Sequence, residues 1–261
     1  MISNPAKVGP VTRARAIIQE RHLEAPDEID IEALAFSYDA AVEYQPLEGM
    51  DGNIVRHGDR AIIAVRSDIA FEGQRRFIIA HELGHFFLHP QARQMETVNA
   101  HQVSDWSDRI AKEEREANYF AAELLMPSQM LVPRLKGKEP GFELIDELRG
   151  EFRTTLTSTA VQFIENTSEE CVLISSSNRK WEWFLCSRNF GFTMASDRLV
   201  HGHSCAHELG PHKTKAKSSK IEADCWLDGY RHTSKAYITE DSRYSPSMQK
   251  TLTLLWIHDV I

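Results

Sequence analysis

Two histidines and a glutamate occur at a spacing that suits a catalytic metal ion. They lie in the run His81-Glu82-Leu83-Gly84-His85. On an α-helix, a step of four residues returns to nearly the same face, so the imidazoles of His81 and His85 can converge on one ion. Histidine nitrogens are common ligands of zinc. The spacing therefore predicts that His81 and His85 bind a zinc ion from one helix.

Glu82 is the candidate general base. It follows His81 by one residue and precedes His85 by three, so its carboxylate can lie beside the metal instead of on it. Zinc lowers the pKa of a bound water to about 7, and a nearby carboxylate can take the proton that this water loses. The alternative interpretation of the motif is an ordinary amphipathic helix with two hydrogen-bonded histidines.

The third metal ligand has to come from elsewhere in the chain, because a catalytic zinc site has three protein ligands and one open position. An acidic cluster at residues 113–116 begins the next predicted helix. Glu114 and Asn118 are four residues apart and share a helix face, so one can bind the metal while the other hydrogen-bonds a ligating histidine. Glu113 and Glu116 are then expected to point elsewhere. The alternative interpretation of the cluster is a solvated first turn, where carboxylates suit the helix dipole.

His89 lies one further turn along the helix that carries His81 and His85. Three successive turns cannot easily surround a single ion, so His89 is expected to be structural or to support the ligands instead of joining them.

Two helices separated by a polar connection must position these side chains. The apolar periodicity predicts a helix over about residues 72–88, which ends at His89-Pro90. A polar connection is predicted over residues 91–107, and a second helix from Asp108 to Met126. We therefore expect the metal site to lie between two helices that are separated in the sequence.

Short β-rich runs come before these helices, and further helices follow them. Residues 41–44 and 60–65 are typical of strands and have turn residues between them, which predicts a small antiparallel sheet. Helices are predicted over residues 142–151 and 158–165. A helix-turn-helix within residues 144–163 is the alternative interpretation, and it is disfavoured because basic residues for phosphate contact are few.

The pattern changes near Asn166, beyond which alternating and β-branched runs dominate. This change predicts a domain of residues 1–166 and a smaller, β-rich domain of residues 167–261. Alternation along the strand predicts that Trp181 and Trp183 lie on the same face and pack in a sheet core.

Two blocks of sequence resemble the ImmA/IrrE family of metallopeptidases. The first covers residues 76–89 and includes the run from His81 to His85, and the second covers residues 114–127 and ends in Leu-Leu-Met-Pro. The resemblance extends over about residues 11–165. It implies that Glu114, four residues before the asparagine of the second block, is the third metal ligand.

The sequence patterns and the resemblance together predict a fold, and the resemblance implies a function. We expect an α+β protein in which a zincin-like helical catalytic domain with a small antiparallel sheet and trailing helices is followed by a smaller β-rich α/β domain that is sensor-like or binds a partner. The implied activity is a thermolysin-like, zinc-dependent cleavage of a helix-turn-helix transcriptional repressor, in transcription regulation or a stress response. Manganese is the alternative metal.

A second function remains open at this stage. The protein could be a regulatory partner of such a repressor, of toxin–antitoxin type, that acts by binding without proteolysis. The intact Glu82 favours the enzyme, because a module that only binds has no need of a general base.

Composition excludes several other classes of function. The chain has 261 residues and a net charge of −8, so nucleic acid is not an expected partner. No apolar run approaches the roughly 20 residues of a membrane span, and no signal peptide is evident. We therefore expect a cytoplasmic protein with no membrane partner, and its four cysteines to be reduced.

A second metal site is conceivable in the C-terminal part. His201, His203, Cys205 and His207 lie close together in the sequence, but paired Cys-x-x-Cys spacings are missing. We expect these residues to be ordinary loop side chains.

Overall fold

The computed structural model describes residues 5–89, 106, 111–213, 217–228, 237–246 and 248–257. Its helices are α1 (Pro5–Glu20), α2 (Ile31–Phe36), α3 (Glu72–Leu88), α4 (Lys112–Leu125), α5 (Ser128–Leu135), α6 (Phe142–Phe152) and α7 (Leu156–Asn166). Its strands are β1 (Ala40–Gln45), β2 (Gly52–His57), β3 (Arg60–Arg66), β4 (Cys171–Ser177), β5 (Lys180–Cys186), β6 (Lys217–Glu222), β7 (Tyr237–Ser245) and β8 (Lys250–Trp256). The predicted α+β class, helical first and β-rich towards the C-terminus, is confirmed.

Contacts within the chain group it into two compact units. The first consists of residues 1–134 and 147–162, and the second of residues 135–146 and 163–261. The division into domains 1–166 and 167–261 stays a prediction. The predicted connection over residues 91–107 lies outside the described residues, apart from Trp106, as do residues 108–110 of the second predicted helix.

The small sheet of the first unit is mixed, so the prediction that it is antiparallel was wrong. Its order is β1-β3-β2, in which β1 runs parallel to β3 and β2 antiparallel to it. The sequence suggested turn residues where β2 lies, because Gly52 and Gly58 flank that strand. Once β2 pairs with one edge of β3, β1 has to use the other edge, and it does so in the parallel sense.

Helix α3 is the centre of the first unit, and every residue from Arg76 to His85 is buried. A helix that is buried on all sides must be packed by neighbours on several faces. It approaches α4 closely at Gly84, where a Cβ atom would lie 3.0 Å from the Cα and 3.2 Å from the Cβ of Ala117. The glycine of the motif therefore sets the distance between the two helices.

The carboxyl end of α4 is fixed by a buried carboxylate. Glu123 Oε1 accepts hydrogen bonds from the Ser128 backbone N–H at 3.1 Å, the Ser128 hydroxyl at 2.8 Å and Arg15 Nε at 2.8 Å. The Gln162 amide donates to the Met126 carbonyl at 3.2 Å. These bonds connect α1, α4, α5 and α7. The second sequence block therefore holds helices together, in addition to providing a candidate metal ligand.

The second unit contains a five-stranded antiparallel sheet in the order β5-β4-β8-β7-β6. One face of it packs around Trp226, which is fully buried and stacks on Trp181 with ring centroids 5.4 Å apart. The apolar residues of this core include Val172, Ile174, Trp181, Ile221, Trp226, Ile238 and Leu255.

Trp181 and Trp183 are both buried, but they do not share a face of the sheet. Trp181 pairs with Ser176 and Trp183 with the adjacent Ser175, so Glu182 is an extra residue in a β-bulge. Neighbouring residues of a strand point to opposite faces, and the bulge therefore places the two tryptophans on opposite sides. The alternation predicted from the sequence was wrong at this point.

We predict that Gly84→Ala destabilises the protein. The added methyl group crowds Ala117 in a packed helix contact, which costs about 1–3 kcal/mol and outweighs the gain of about 1 kcal/mol in helix propensity. The measurement is the free energy of unfolding in urea. Gly150→Ala is the matched control, because Gly150 is an exposed helical glycine whose added Cβ would meet no atom within 4 Å, and this variant should be as stable as the wild type or more so. A Gly84→Ala protein that gains as much stability as Gly150→Ala would contradict the packing role of Gly84.

Candidate metal centre

Helices α3 and α4 bring together three side chains that could hold a metal ion. The ligand atoms of His81, His85 and Glu114 all lie within 4.8 Å of one another, and all three residues are buried. The two Nε2 atoms are 3.0 Å apart. Glu114 Oε2 lies 3.3 Å from His81 Nε2, and Glu114 Oε1 lies 3.3 Å from His85 Nε2. Within the described ranges, no other three His, Cys, Asp or Glu side chains converge in this way.

The hydrogen bond of His81 on the side away from Glu114 fixes its tautomer. Nδ1 of His81 lies 2.9 Å from Oδ1 of Asn118, which is fully buried on α4. An amide oxygen only accepts hydrogen bonds, so Nδ1 of His81 carries the proton. In the neutral imidazole the lone pair is then on Nε2, the atom that faces Glu114.

The three groups are suited to a cation. Two imidazole nitrogens and one carboxylate point their electron pairs at a single buried region, and such an arrangement is stable only with positive charge among them. Two histidines and one glutamate are also a common donor set of catalytic zinc sites. The residues present therefore fit a zinc ion.

The charge state of Glu114 agrees with this arrangement. Burial acts to raise its pKa, but the neighbouring imidazoles of His81 and His85 lower it by more, so the net pKa is below the ordinary value for a glutamate. The carboxylate is thus ionised near neutral pH, which is the state that binds a cation.

Glu82 is fully buried beside strand β2 and outside the three-residue ligand group. A Cβ atom at Gly52 would lie 3.7 Å from Glu82 Oε1 and only 2.3 Å from Ile78 Cγ2. Any side chain at position 52 would therefore separate β2 from α3 next to the candidate base. The glycine allows the sheet to approach the part of α3 that carries Glu82.

Sequence reasoning missed the contact that Glu116 makes, because it expected only that this side chain points away from the metal. Its side chain is only 17% exposed, and Oε2 lies 2.9 Å from His89 Nε2. His89 Nδ1 in turn lies 3.1 Å from His85 Nδ1. Helix spacing could not predict this contact, because His89 is the C-cap of α3, with φ −124° and ψ 57°, and so leaves the helical spacing and meets the long side chain of Glu116.

The second candidate site is not assembled. His201, His203, Cys205 and His207 do not converge as a group of metal ligands, and His201 Nδ1 lies 3.4 Å from the Sγ of Cys225 instead. The four cysteines, all of which the structure describes, form no disulfide bond. In the part of the chain that the structure describes, no helix combines the length and the apolar character needed to span a membrane.

Comparisons with known proteins agree with the geometry. Residues 37–161 match the peptidase family described as IrrE N-terminal-like domain. Metallopeptidase ImmA of Bacillus subtilis (strain 168) is 30% identical over 95 residues, which cover 34% of this chain and 52% of ImmA. The chain thus spans about half the length of that relative.

A solved structure named Mycobacterium tuberculosis transcriptional regulator has a similar fold. Its TM-score is 0.63 at 14% sequence identity, and the match covers 96% of this chain and 76% of that chain. The family match includes His81, Glu82, His85, Glu114 and Asn118. Over residues 37–161, which hold the candidate metal centre, the resemblance to the ImmA/IrrE family of metallopeptidases expected from the sequence is confirmed.

Proposed function

We propose that the protein is a zinc-dependent endopeptidase of the gluzincin-like type, in which His81, His85 and Glu114 bind the metal and Glu82 is the general base. The observation that carries this proposal is the convergence of two imidazole nitrogens and one carboxylate, from two helices, on one buried point. Zinc is preferred over manganese because two of the three donors are nitrogens, whereas manganese favours oxygen ligands.

The metal and the residues of the site have different roles in hydrolysis. Zinc, when bound, lowers the pKa of water and polarises the scissile carbonyl group. Glu82 takes the proton that the attacking water loses and passes it to the leaving amine nitrogen, so the carboxylate ends as it began. Asn118 accepts the Nδ1–H of His81 and so keeps its Nε2 directed at the metal.

Strand β2 supports the binding of an extended peptide. It is an edge strand of its sheet, and its first residue, Gly52, approaches Glu82. An extended substrate can add to an exposed sheet edge through main-chain hydrogen bonds. Pairing with β2 would place a peptide bond beside the candidate base, so we propose this edge as the substrate-binding strand.

The proposed substrate is a helix-turn-helix transcriptional repressor, which the protein cleaves at one site. This step rests on the resemblance to the ImmA/IrrE family. The acidic net charge of −8 favours a protein substrate over direct contact with DNA. The lack of a disulfide bond among the four described cysteines supports a reducing compartment, so we propose that the cleavage takes place in the cytoplasm.

We predict that Glu82→Gln keeps the metal but loses cleavage. Glutamine has nearly the same shape and cannot take a proton, so the rate should fall by about 100-fold or more. The measurement is intact-mass spectrometry of a helix-turn-helix repressor encoded beside this gene, after incubation with zinc-loaded protein. Glu72→Gln is the matched control, because Glu72 lies on the same helix with its side chain 52% exposed. Cleavage by the Glu82→Gln protein at the wild-type rate would contradict the role of Glu82, and a stable complex that neither protein cuts would favour the binding partner that acts without proteolysis.

We predict that Glu114→Ala loses both zinc and activity. Removal of one of three ligands leaves two histidines from a single helix, which hold zinc weakly. Zinc content per protein chain, measured by elemental mass spectrometry after dialysis, tests the prediction. Glu113→Ala, a change of the exposed neighbouring residue, should keep the wild-type content. A Glu114→Ala protein that keeps as much zinc as Glu113→Ala and the wild type would rule out Glu114 as a ligand.

A further inference from the structure

We propose that His89 and Glu116 form a positioning pair that holds His85 in the tautomer and orientation required for metal binding. This inference rests on the proposed function, because it assumes that His85 binds zinc through Nε2. It adds two residues that lie outside the ligand group.

The pair gives His85 an outer partner of a different kind from that of His81. Nδ1 of His81 is held directly by the amide oxygen of Asn118. Nδ1 of His85 instead contacts Nδ1 of His89 at 3.1 Å, and Nε2 of His89 contacts Oε2 of Glu116 at 2.9 Å. The chain from His85 to the carboxylate thus runs through a second imidazole.

The direction of each hydrogen bond follows from the carboxylate at its end. An ionised carboxylate only accepts, so Nε2–H of His89 donates to Glu116. In a neutral His89, Nδ1 is then an acceptor, and the proton between the two histidines belongs to Nδ1 of His85. The lone pair of His85 is therefore on Nε2, which faces Glu114 and the other ligand nitrogen.

The surroundings of the pair favour strong hydrogen bonds. The side chain of His89 is 9% exposed, so water competes little for its nitrogens. Lys112 Nζ lies 3.4 Å from Glu116 Oε1, but the lysine side chain is 67% exposed and this ion pair contributes little. A charge-assisted hydrogen bond from an imidazole is about twice as strong as a neutral one.

The two ring nitrogens of His89 meet the requirements of this role. Its two nitrogens act in opposite senses, one accepting from His85 and the other donating to Glu116. The side-chain amide of glutamine also offers an acceptor, its oxygen, and a donor, its nitrogen, both bonded to one carbon. Leucine fills a similar volume and offers neither. His89→Gln and His89→Leu therefore separate hydrogen bonding from packing.

The experiment measures zinc affinity by competition with a chromophoric chelator in the full chain. The variants are His89→Leu, His89→Gln and Glu116→Ala, and Glu113→Ala is the matched control for loss of an acidic residue from the first turn of α4. We expect His89→Leu and Glu116→Ala to weaken zinc binding by about 10-fold or more. His89→Gln should restore most of the affinity, and Glu113→Ala should bind zinc like the wild type.

A second readout separates positioning from general stability. The visible spectrum of the cobalt-substituted protein reports the geometry of the ligands, and it should change in His89→Leu and return towards the wild type in His89→Gln. If His89→Leu binds zinc as tightly as the wild type with an unchanged cobalt spectrum, the positioning role is wrong, even where its melting temperature falls. If the wild type itself does not bind zinc, the proposed function fails first, and the two failures are thereby distinguished.

Discussion

The contact of α3 with α4 at Gly84 and Ala117 is the constraint on which the candidate centre depends. Two ligands belong to α3 and the third to α4, so the distance between the helices decides whether Glu114 can reach both histidines. A Cβ atom at Gly84 would lie 3.0 Å from the Cα of Ala117, which leaves no room for a larger residue without movement of a helix. The glycine within the motif is therefore part of the metal site, although it offers no ligand atom.

The same contact places the outer hydrogen-bond partners, because Ala117 stands between Glu116 and Asn118 on α4. Once the helix is fixed against Gly84, Asn118 reaches His81 and Glu116 reaches His89. Ligand geometry, tautomers and helix packing thus follow from one close approach. At the other end of α4, the bonds of Glu123 join the helix to Arg15 of α1 and Ser128 of α5.

Sequence spacing predicted the parts of the site that depend on one helix alone. The four-residue steps from His81 to His85 and from Glu114 to Asn118 translate directly into shared faces. The pairing of His89 with Glu116 could not be predicted in this way, because it joins a residue that leaves the end of α3 to a long side chain on a different helix. Such a contact depends on how the two helices pack against each other. The spacing of residues within either helix does not reveal it.

The errors in the two sheets have a similar origin. Strand β2 begins with Gly52 because a side chain at that position would collide with α3. This glycine makes the segment resemble a turn in the sequence. Because Glu182 is inserted in β5, each later residue of that strand lies on the face opposite to the one that strict alternation predicts. In both places a general sequence rule failed where one residue serves a contact outside its own strand.

Buried carboxylates elsewhere in the chain show why burial by itself does not mark a functional residue. Glu240 is fully buried, yet it accepts hydrogen bonds from the Ala206 backbone N–H at 2.7 Å, the Trp226 indole at 3.1 Å and the Ser242 hydroxyl at 2.8 Å. These donors satisfy its charge within the protein. Glu114 instead faces the imidazole nitrogens of two histidines, and the outer hydrogen bonds of those histidines direct lone pairs, not protons, towards it. A structural carboxylate is surrounded by donors, whereas this one lies among acceptors, and a cation is what such an arrangement requires.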